Sequence, residues 1–375
     1  MPKPRHIVID ARELRTSTGR YIERLLHYLQ TVDTENKYTV LLKPKDIGTW
    51  FSDNPNFTKL ASPYKEFTFA EQLGFLKQIK SLKADLVHFG MVQQPILYKG
   101  KVVTTMHDLT TVRFTNPSKN ALVFKVKQSV YKYVNKHVAQ KSAAIITPTE
   151  FVKNDIVDFA SIKPDKITVT YESADDIPEA PEPVNGLVPG KFLMYVGRPT
   201  PHKNLGRLID AFAILEKTHP DLKLVLAGKK DVLYETHERR ATEAGISGIV
   251  FTGFVSEGQL RWLYENCGVY VFPSLSEGFG LPGLEAMKHG APVASSNATC
   301  LPEVYGDAAY YFNPANTEDM AAKINNILTD TKLRDSLVAA GHVQASAYSW
   351  KRMAQQTLDV YRSVLLNSTN GKNKS

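Results

Sequence analysis

Cysteine is nearly absent from this chain of 375 residues: Cys267 and Cys300, both in the second half, are the two present. That usage argues against a disulfide framework or a zinc site and fits a reducing, cytoplasmic setting, with both thiols expected to be buried. No run of about 18 or more apolar residues occurs, which excludes a transmembrane helix. Met1-Pro-Lys-Pro-Arg5 leads directly into the short run His6-Ile-Val-Ile9, which is too brief for the core of a signal peptide. There is no Asp-x-Asp triplet, no histidine–acid cluster at metal spacing and no Walker loop. No metal is therefore expected. Acidic residues are scarce in one half only. Residues 1–170 hold 26 Lys+Arg against 15 Asp+Glu, a net of +11, whereas the remainder holds 20 against 23, a net of −3. A basic half points to an acidic partner, with plain solubility as the competing reading.

What is present is an alternation of short apolar runs and helical patterns. His6–Ile9, Tyr38–Leu42, Leu86–His88, Val102–Met106 and Ala144–Thr147 read as strands, and Tyr21–Leu29 has apolar residues at helical spacing. Glu172–Gly186 is rich in Pro and acid and reads as a linker. A second series starts at Lys191–Val196. A helix at 204–217, a strand at Leu222–Ala227, a short strand at Ile249–Thr252, a helix at 257–265 and a strand at Val269–Phe272 follow. Helical patterns end the chain at 317–328 and 348–366, before a polar tail at 367–375. The fold class expected is α/β: two doubly wound Rossmann-like domains in tandem with a cleft between them. The expected division is an N-terminal domain at 1–172, a linker at 173–190, a C-terminal domain at 191–350 and a last helix at 351–366. That helix is expected to cross back to the first domain.

The most informative stretch is Pro273-Ser-Leu-Ser-Glu-Gly-Phe-Gly-Leu-Pro-Gly-Leu-Glu-Ala-Met287. A buried-strand run precedes it, Gly278, Gly280 and Gly283 loosen the backbone, and Pro282 suits a first helical turn. A helix N-terminus leaves unpaired N–H groups and carries partial positive charge, so an anion is expected there. Glu277 and Glu285 bracket the loop, and carboxylates accept hydrogen bonds from sugar or ribose hydroxyls. Gly197-Arg-Pro-Thr-Pro-His-Lys-Asn204 follows the first strand of the second domain, where Arg198 and Lys203 can converge on one polyanion. In the first domain, Thr16-Ser-Thr-Gly-Arg20 joins a strand to a helix, and His107-Asp108 follow another strand. Each of these features alone also has a plain structural reading: a turn, a solvated cation pair, or a structural His-Asp pair. Gly278-Phe-Gly-Leu-Pro-Gly283 is also a literal GxGxxG, with Glu303 about twenty residues beyond. A nicotinamide dehydrogenase is therefore an alternative. Against it, the string stands late in the second domain. Residues 119–141 read as a basic helix with aromatics, which suits an anionic surface; a core helix with a solvated lysine face is the competing reading.

Taken together, these residues resemble glycosyltransferase family 4, retaining enzymes of the GT-B fold. The stretch Pro273–Met287 matches the family's E-x7-E pattern, and Gly197-Arg198 with Lys203 matches its diphosphate clamp. Ser295–Ala309, Asp10-Ala-Arg12, Thr18-Gly-Arg-Tyr21 and His107-Asp108-Leu109 fit as well. The resemblance implies that Arg198 and Lys203 bind the donor's diphosphate, and that Gly278, Phe279, Gly280 and Leu281 hold donor sugar and phosphate. It also implies that Glu277 bonds the donor sugar, Glu285 the ribose, and that His107 sits beside sugar and leaving phosphate. Gly19 would let the first domain approach the phosphates; many relatives carry two glycines there. Arg20 and Asp108 are acceptor-side candidates. The reaction implied is metal-independent, retaining transfer of a hexose from a nucleotide diphosphate sugar, GDP-mannose before UDP-sugars. No cofactor is implied. The acceptor would be a glycan or lipid-linked saccharide in cell-surface polysaccharide synthesis. The setting implied is cytoplasmic, peripheral at the inner face of the membrane, with no nucleic-acid partner. A non-catalytic GT-B subunit is the other alternative.

Overall fold

A computed structural model describes residues 3–16, 19–114 and 121–366, with the side chains of 121–126 left aside. Ser17 and Thr18 in the first-domain loop, residues 119–120 of the basic helix and the tail at 367–375 lie outside the described residues. Two compact units result: one reaches to Glu172 and takes up the chain again from Ser349, and the other is essentially Ser173–Tyr348.

The first unit is built on a wholly parallel sheet: β1 (His6–Asp10), β2 (Lys37–Leu42), β3 (Phe57–Ala61), β4 (Leu86–Phe89), β5 (Val102–Thr105), β6 (Ala144–Thr147) and β7 (Ile167–Val169). The spatial order is β3-β2-β1-β4-β5-β6-β7. Its helices are α1 (Gly19–Val32), α2 (Leu76–Ser81), the short α3 (Thr110–Arg113), α4 (Ala121–Lys141) and α5 (Glu150–Ala160). The four residues of β4 and of β5 are all buried, as expected of parallel strands covered on both faces. Thr149 starts α5 by accepting a hydrogen bond from the Val152 amide, and Ser161 ends it in the left-handed region.

The second unit repeats the plan with β8 (Phe192–Val196), β9 (Lys223–Ala227), β10 (Ile249–Gly253), β11 (Val269–Phe272), β12 (Val293–Ser296) and β13 (Ala309–Phe312). The order is β10-β9-β8-β11-β12-β13, with every pairing parallel. Between and after the strands come α6 (Leu205–Glu216), α7 (Val232–Glu243), α8 (Glu257–Asn266), α9 (Leu281–Lys288), α10 (Leu301–Tyr305), α11 (Thr317–Thr329) and α12 (Thr331–Ser346). Ser256 and Gln259 form a reciprocal capping box at the start of α8. Strand order reverses at β8 and β11, the place where doubly wound sheets bind ligands beyond their carboxyl ends.

The last element among the described residues is α13 (Trp350–Leu366), which packs on α1 in the first unit. Its apolar face buries Met353, Leu358 and Tyr361. The Tyr361 hydroxyl meets His88 Nδ1 at 2.5 Å, His88 Nε2 meets Thr105 Oγ1 at 2.9 Å, and Thr105 meets the Tyr21 hydroxyl at 2.9 Å. Burial, helped by the nearby His107, pushes the His88 pKa down to about 3, so His88 is neutral in this chain of bonds.

Several elements escape the sequence patterns: β3, β7, β12 and β13 among the strands, and α2, α3, α5, α7, α10 and α12 among the helices. The expected helix at 348–366 begins at Trp350. The stretch read as a linker lies along the second unit. Arg261 donates to the carbonyls of Ile177 and Glu179, and Ser256 donates to Glu182. Among the described residues, no helix is long and apolar enough to cross a membrane.

Candidate active site

In the second unit, the loops leaving β8 and β11 are tied to one another. Asn204 holds a left-handed backbone at φ +62° and is buried. Its side-chain amide donates to Pro273 O at 3.0 Å and Pro314 O at 2.8 Å. The Leu275 amide donates to His202 O at 2.7 Å. These bonds fix the short turn Pro201–Lys203 against the loop that follows β11.

The consequence is a charge pair at the switch point. Lys203 Nζ lies 2.6 Å from Glu277 Oε1, and the side chains are 21% and 12% exposed. The ammonium also stands 5.7 Å from the Phe272 ring centroid. The Glu277 amide donates to Thr299 Oγ1 at 3.2 Å, and the Cys300 thiol donates to Glu277 O at 3.3 Å. Glu277 is thereby held by both backbone and side chain. Arg198 does not join the pair. Its side chain is 76% exposed and its Nε donates at 3.3 Å to Asp231 Oδ2, whose other oxygen caps α7 by accepting from the Leu233 and Tyr234 amides.

Gly280 precedes α9 with φ +93°, which favours glycine, and Pro282 lies in the first turn. Methyl groups built at Gly280 and Gly283 would stand 2.5 and 2.2 Å from the Tyr305 hydroxyl. That hydroxyl donates to Gly280 O at 2.5 Å. These two glycines therefore accommodate Tyr305. Gly278 is buried, Phe279 is buried with its ring edge-on to Tyr348 at 5.6 Å, and Leu281 is the first residue of α9. Glu285 lies one turn into α9, is 7% exposed, and accepts from the Tyr264 hydroxyl at 3.2 Å. Both cysteines are buried.

The dinucleotide fingerprint belongs to the turn after the first strand of such a unit. That place is held by Gly197–Asn204, not by the GxGxxG string, which follows β11.

The first unit places its residues on the carboxyl edge of its own sheet. Gly19 is buried at the start of α1, where a methyl would come within 2.3 Å of Leu14 O and 2.4 Å of Glu13 O. Close packing within its own loop thus demands the glycine. Arg20 follows it and is exposed. Asp108 Oδ1 accepts from the Thr110 amide at 2.7 Å. His107 Nδ1 stands 3.3 Å from Glu172 Oε1, and Nε2 is 3.0 Å from Gly90 O. A carboxylate and a carbonyl both accept, so a ring protonated on both nitrogens would satisfy both partners. Burial disfavours that charge, but Glu172 and the Gly90 carbonyl outweigh it and raise the His107 pKa above its ordinary value. The Tyr21 ring meets the His107 imidazole edge-on at 4.8 Å.

Four residues at these sites carry no mark of their role in the sequence: Glu172, Asp231, Thr299 and Tyr305. Each acts on a residue far away in the chain, and no local spacing reveals such partners. Among the described residues, no group of three or more His, Cys, Asp and Glu could hold a metal ion.

Residues 20–177 match the family model described as Glycosyltransferase Family 4, and residues 179–344 match the one described as Glycosyl transferases group 1. The O-antigen chain mannosyltransferase B of Escherichia coli is 34% identical over 278 residues, covering 70% of this chain and 70% of that protein. The serotype-specific mannosyltransferase WbdA of Escherichia coli is 32% identical over 62% of this chain, which spans only 29% of that longer relative. A solved sucrose-phosphate synthase from Thermosynechococcus elongatus superposes with a TM-score of 0.77 at 17% identity, covering 97% of this chain and 100% of that one. At that identity the likeness concerns the fold. With the double Rossmann plan, the tied loops at β8 and β11 and these matches, the chain belongs to glycosyltransferase family 4 and carries the GT-B fold.

Proposed function

We propose that the chain transfers a mannosyl residue from GDP-mannose to a glycan or lipid-linked saccharide during cell-surface polysaccharide synthesis, with retention at the anomeric carbon. UDP-sugars are the next donors in order. The observation that carries the reading is the Lys203–Glu277 pair at the switch point of the second unit. It sets a cation for a diphosphate beside a carboxylate for sugar hydroxyls. The choice of mannose rests on the mannosyltransferase relatives.

Breaking the sugar–phosphate bond builds positive charge on the sugar and negative charge on the departing diphosphate. Lys203, Arg198 and the amino end of α9 would stabilise the second without a divalent ion or cofactor. Each well-placed donor of this kind is worth about 3 kcal/mol, or roughly a hundredfold in rate. The acceptor oxygen bonds to the anomeric carbon on the face that the phosphate leaves, and its proton passes to that phosphate. Glu285 would hold the ribose. His107, whose charged form Glu172 favours, would face sugar and leaving phosphate, with Arg20 and Asp108 on the acceptor side. The amides around Gly278–Leu281 would line the donor.

We place the enzyme in the cytoplasm, peripheral to an anionic membrane. The exposed Lys127, Val130, Lys132, Tyr133 and Lys136 on α4 and the +11 first half support that placement. The test is product analysis by NMR after incubation with GDP-mannose and α-linked mannotriose, with and without EDTA. An α-linked product formed at an unchanged rate in EDTA is expected. A β-linked product, or activity abolished by EDTA, contradicts retention or metal independence.

A further inference from the structure

Two of the most exposed large apolar side chains lie in one loop of the first unit, which runs from β3 to Glu71. Phe67 is 70% and Phe69 88% exposed. The loop leaves the carboxyl end of β3, the same sheet edge that carries Gly19 after β1 and His107 after β5.

The loop is held rigidly from below. Arg12 is 2% exposed and forks onto Asp10, with Nε 2.9 Å from Oδ1 and Nη2 2.8 Å from Oδ2. The same Nη2 reaches buried Glu71 at 2.9 Å, and Nη1 donates to Tyr64 O at 2.9 Å. The second oxygen of Glu71 accepts the Phe67 amide at 3.0 Å. Phe67 itself is in the left-handed region, at φ +61°, a costly backbone state for a bulky residue. A buried ion network thus fixes a strained residue whose ring points outward. Tyr131 of α4 extends the aromatic surface, with its ring 6.2 Å from that of Phe67 and tilted by 34°.

The polar neighbours decide the chemistry of the occupant. Glu66, next to Phe67, pairs with Lys43 at 2.9 Å, and Lys43 also reaches Glu13 at 3.4 Å. The Lys43 ammonium donates and the two carboxyl groups accept, so hydrogen-bond donors and acceptors stand side by side. Two carboxyl groups joined through Lys43, one of them on the residue that precedes Phe67, disfavour an anionic headgroup. They suit a neutral polyol, whose hydroxyls need both donors and acceptors and whose C–H face needs an aromatic one.

We infer that Phe67, Phe69 and Tyr131 form a stacking platform for a sugar ring of the acceptor, with Glu13, Lys43 and Glu66 as its polar rim. The inference rests on the reading that the first unit takes a saccharide acceptor, and it names the residues that hold it. The test uses the full chain with α-linked mannotriose as probe, followed by saturation-transfer NMR and by acceptor kinetics. The Phe67→Ala/Phe69→Ala variant is expected to raise the KM for mannotriose roughly tenfold and to weaken saturation transfer in proportion. The donor KM and the slow hydrolysis of donor without acceptor are expected to stay unchanged. Phe69→Trp, at a site open to solvent, is expected to keep wild-type binding, which separates stacking from folding. Unchanged mannotriose binding in the double variant overturns the inference, as does a wild-type chain that does not bind mannotriose. Loss of binding to phosphatidylglycerol vesicles with mannotriose binding intact also overturns it and assigns the loop to lipid. A chain that binds mannotriose through these rings yet turns over no nucleotide sugar refutes the transferase reading and leaves the platform standing.

Discussion

Lys203 Nζ stands 2.6 Å from Glu277 Oε1, although the residues lie 74 positions apart. Hydrogen bonds from Asn204 to Pro273 O and from Leu275 to His202 O tie their loops together and place them there. On the proposed reading, a diphosphate bound at this point would compete with Glu277 for the ammonium and release the carboxylate toward sugar hydroxyls. Lys203→Ala and Glu277→Ala should each lower kcat/KM for the nucleotide sugar by roughly a hundredfold. Steady-state kinetics checks this, and values within a few-fold of wild type contradict it.

Arg198 contrasts with Lys203. Its side chain is largely in solvent and pairs with Asp231. An exposed pair of this kind contributes little to folding. Arg198→Ala should therefore raise the donor KM about tenfold, the scale of one lost charged contact, and leave Tm unchanged. Donor kinetics together with a thermal melt separate the two effects.

His107 gives a pH dependence with a definite sign. Its folded pKa is raised above the unfolded value of about 6.5. The stability from its pairing with Glu172 is therefore fully present below about pH 6.5 and is lost as pH rises through the folded value. In Glu172→Gln the carboxylate charge is gone, so the folded pKa should fall. NMR titration of the His107 ring should show a downward shift in the variant. The wild-type Tm advantage should be largest near pH 6 and fade at alkaline pH.

The two glycines around Pro282 are linked to one hydroxyl. Gly283→Ala should destabilise the protein by about 1–3 kcal/mol, because its methyl meets the Tyr305 hydroxyl at 2.2 Å. Adding Tyr305→Phe removes that oxygen and should recover part of the loss, giving a non-additive double-mutant cycle by denaturant unfolding. Additive losses contradict the contact.

The switch-point site is legible in the sequence because its residues sit in two short stretches with strong local signatures. Strand, glycine loop and prolyl helix start mark Glu277 through Glu285, and the loop after Lys191–Val196 marks Arg198 and Lys203. The family resemblance then suggests the roles proposed for those residues. What stays hidden depends on pairing across the fold. Edge strand β3, with Thr58, Lys59, Leu60 and Ala61 exposed, lacks a buried apolar run, and the three residues of β7 are too few to show one. Glu172 belongs to an acidic, proline-rich stretch that reads as solvated, yet it is buried against His107. Gly19 reads as part of a phosphate loop, while in the fold its own loop's carbonyls crowd it. Arg12 belongs to a recognised triplet, but only the fold reveals that it anchors Phe67 through Glu71.

Lys203 at the β8–β11 switch point is the proposed ligand of the nucleotide sugar's diphosphate. Calorimetric titration of GDP-mannose into wild type and Lys203→Ala tests it most directly. The expected result is one site per chain in the wild type and a Kd raised roughly a hundredfold in the variant. Equal Kd values for the two proteins, or no binding of GDP-mannose or UDP-sugars by the wild type, would contradict it.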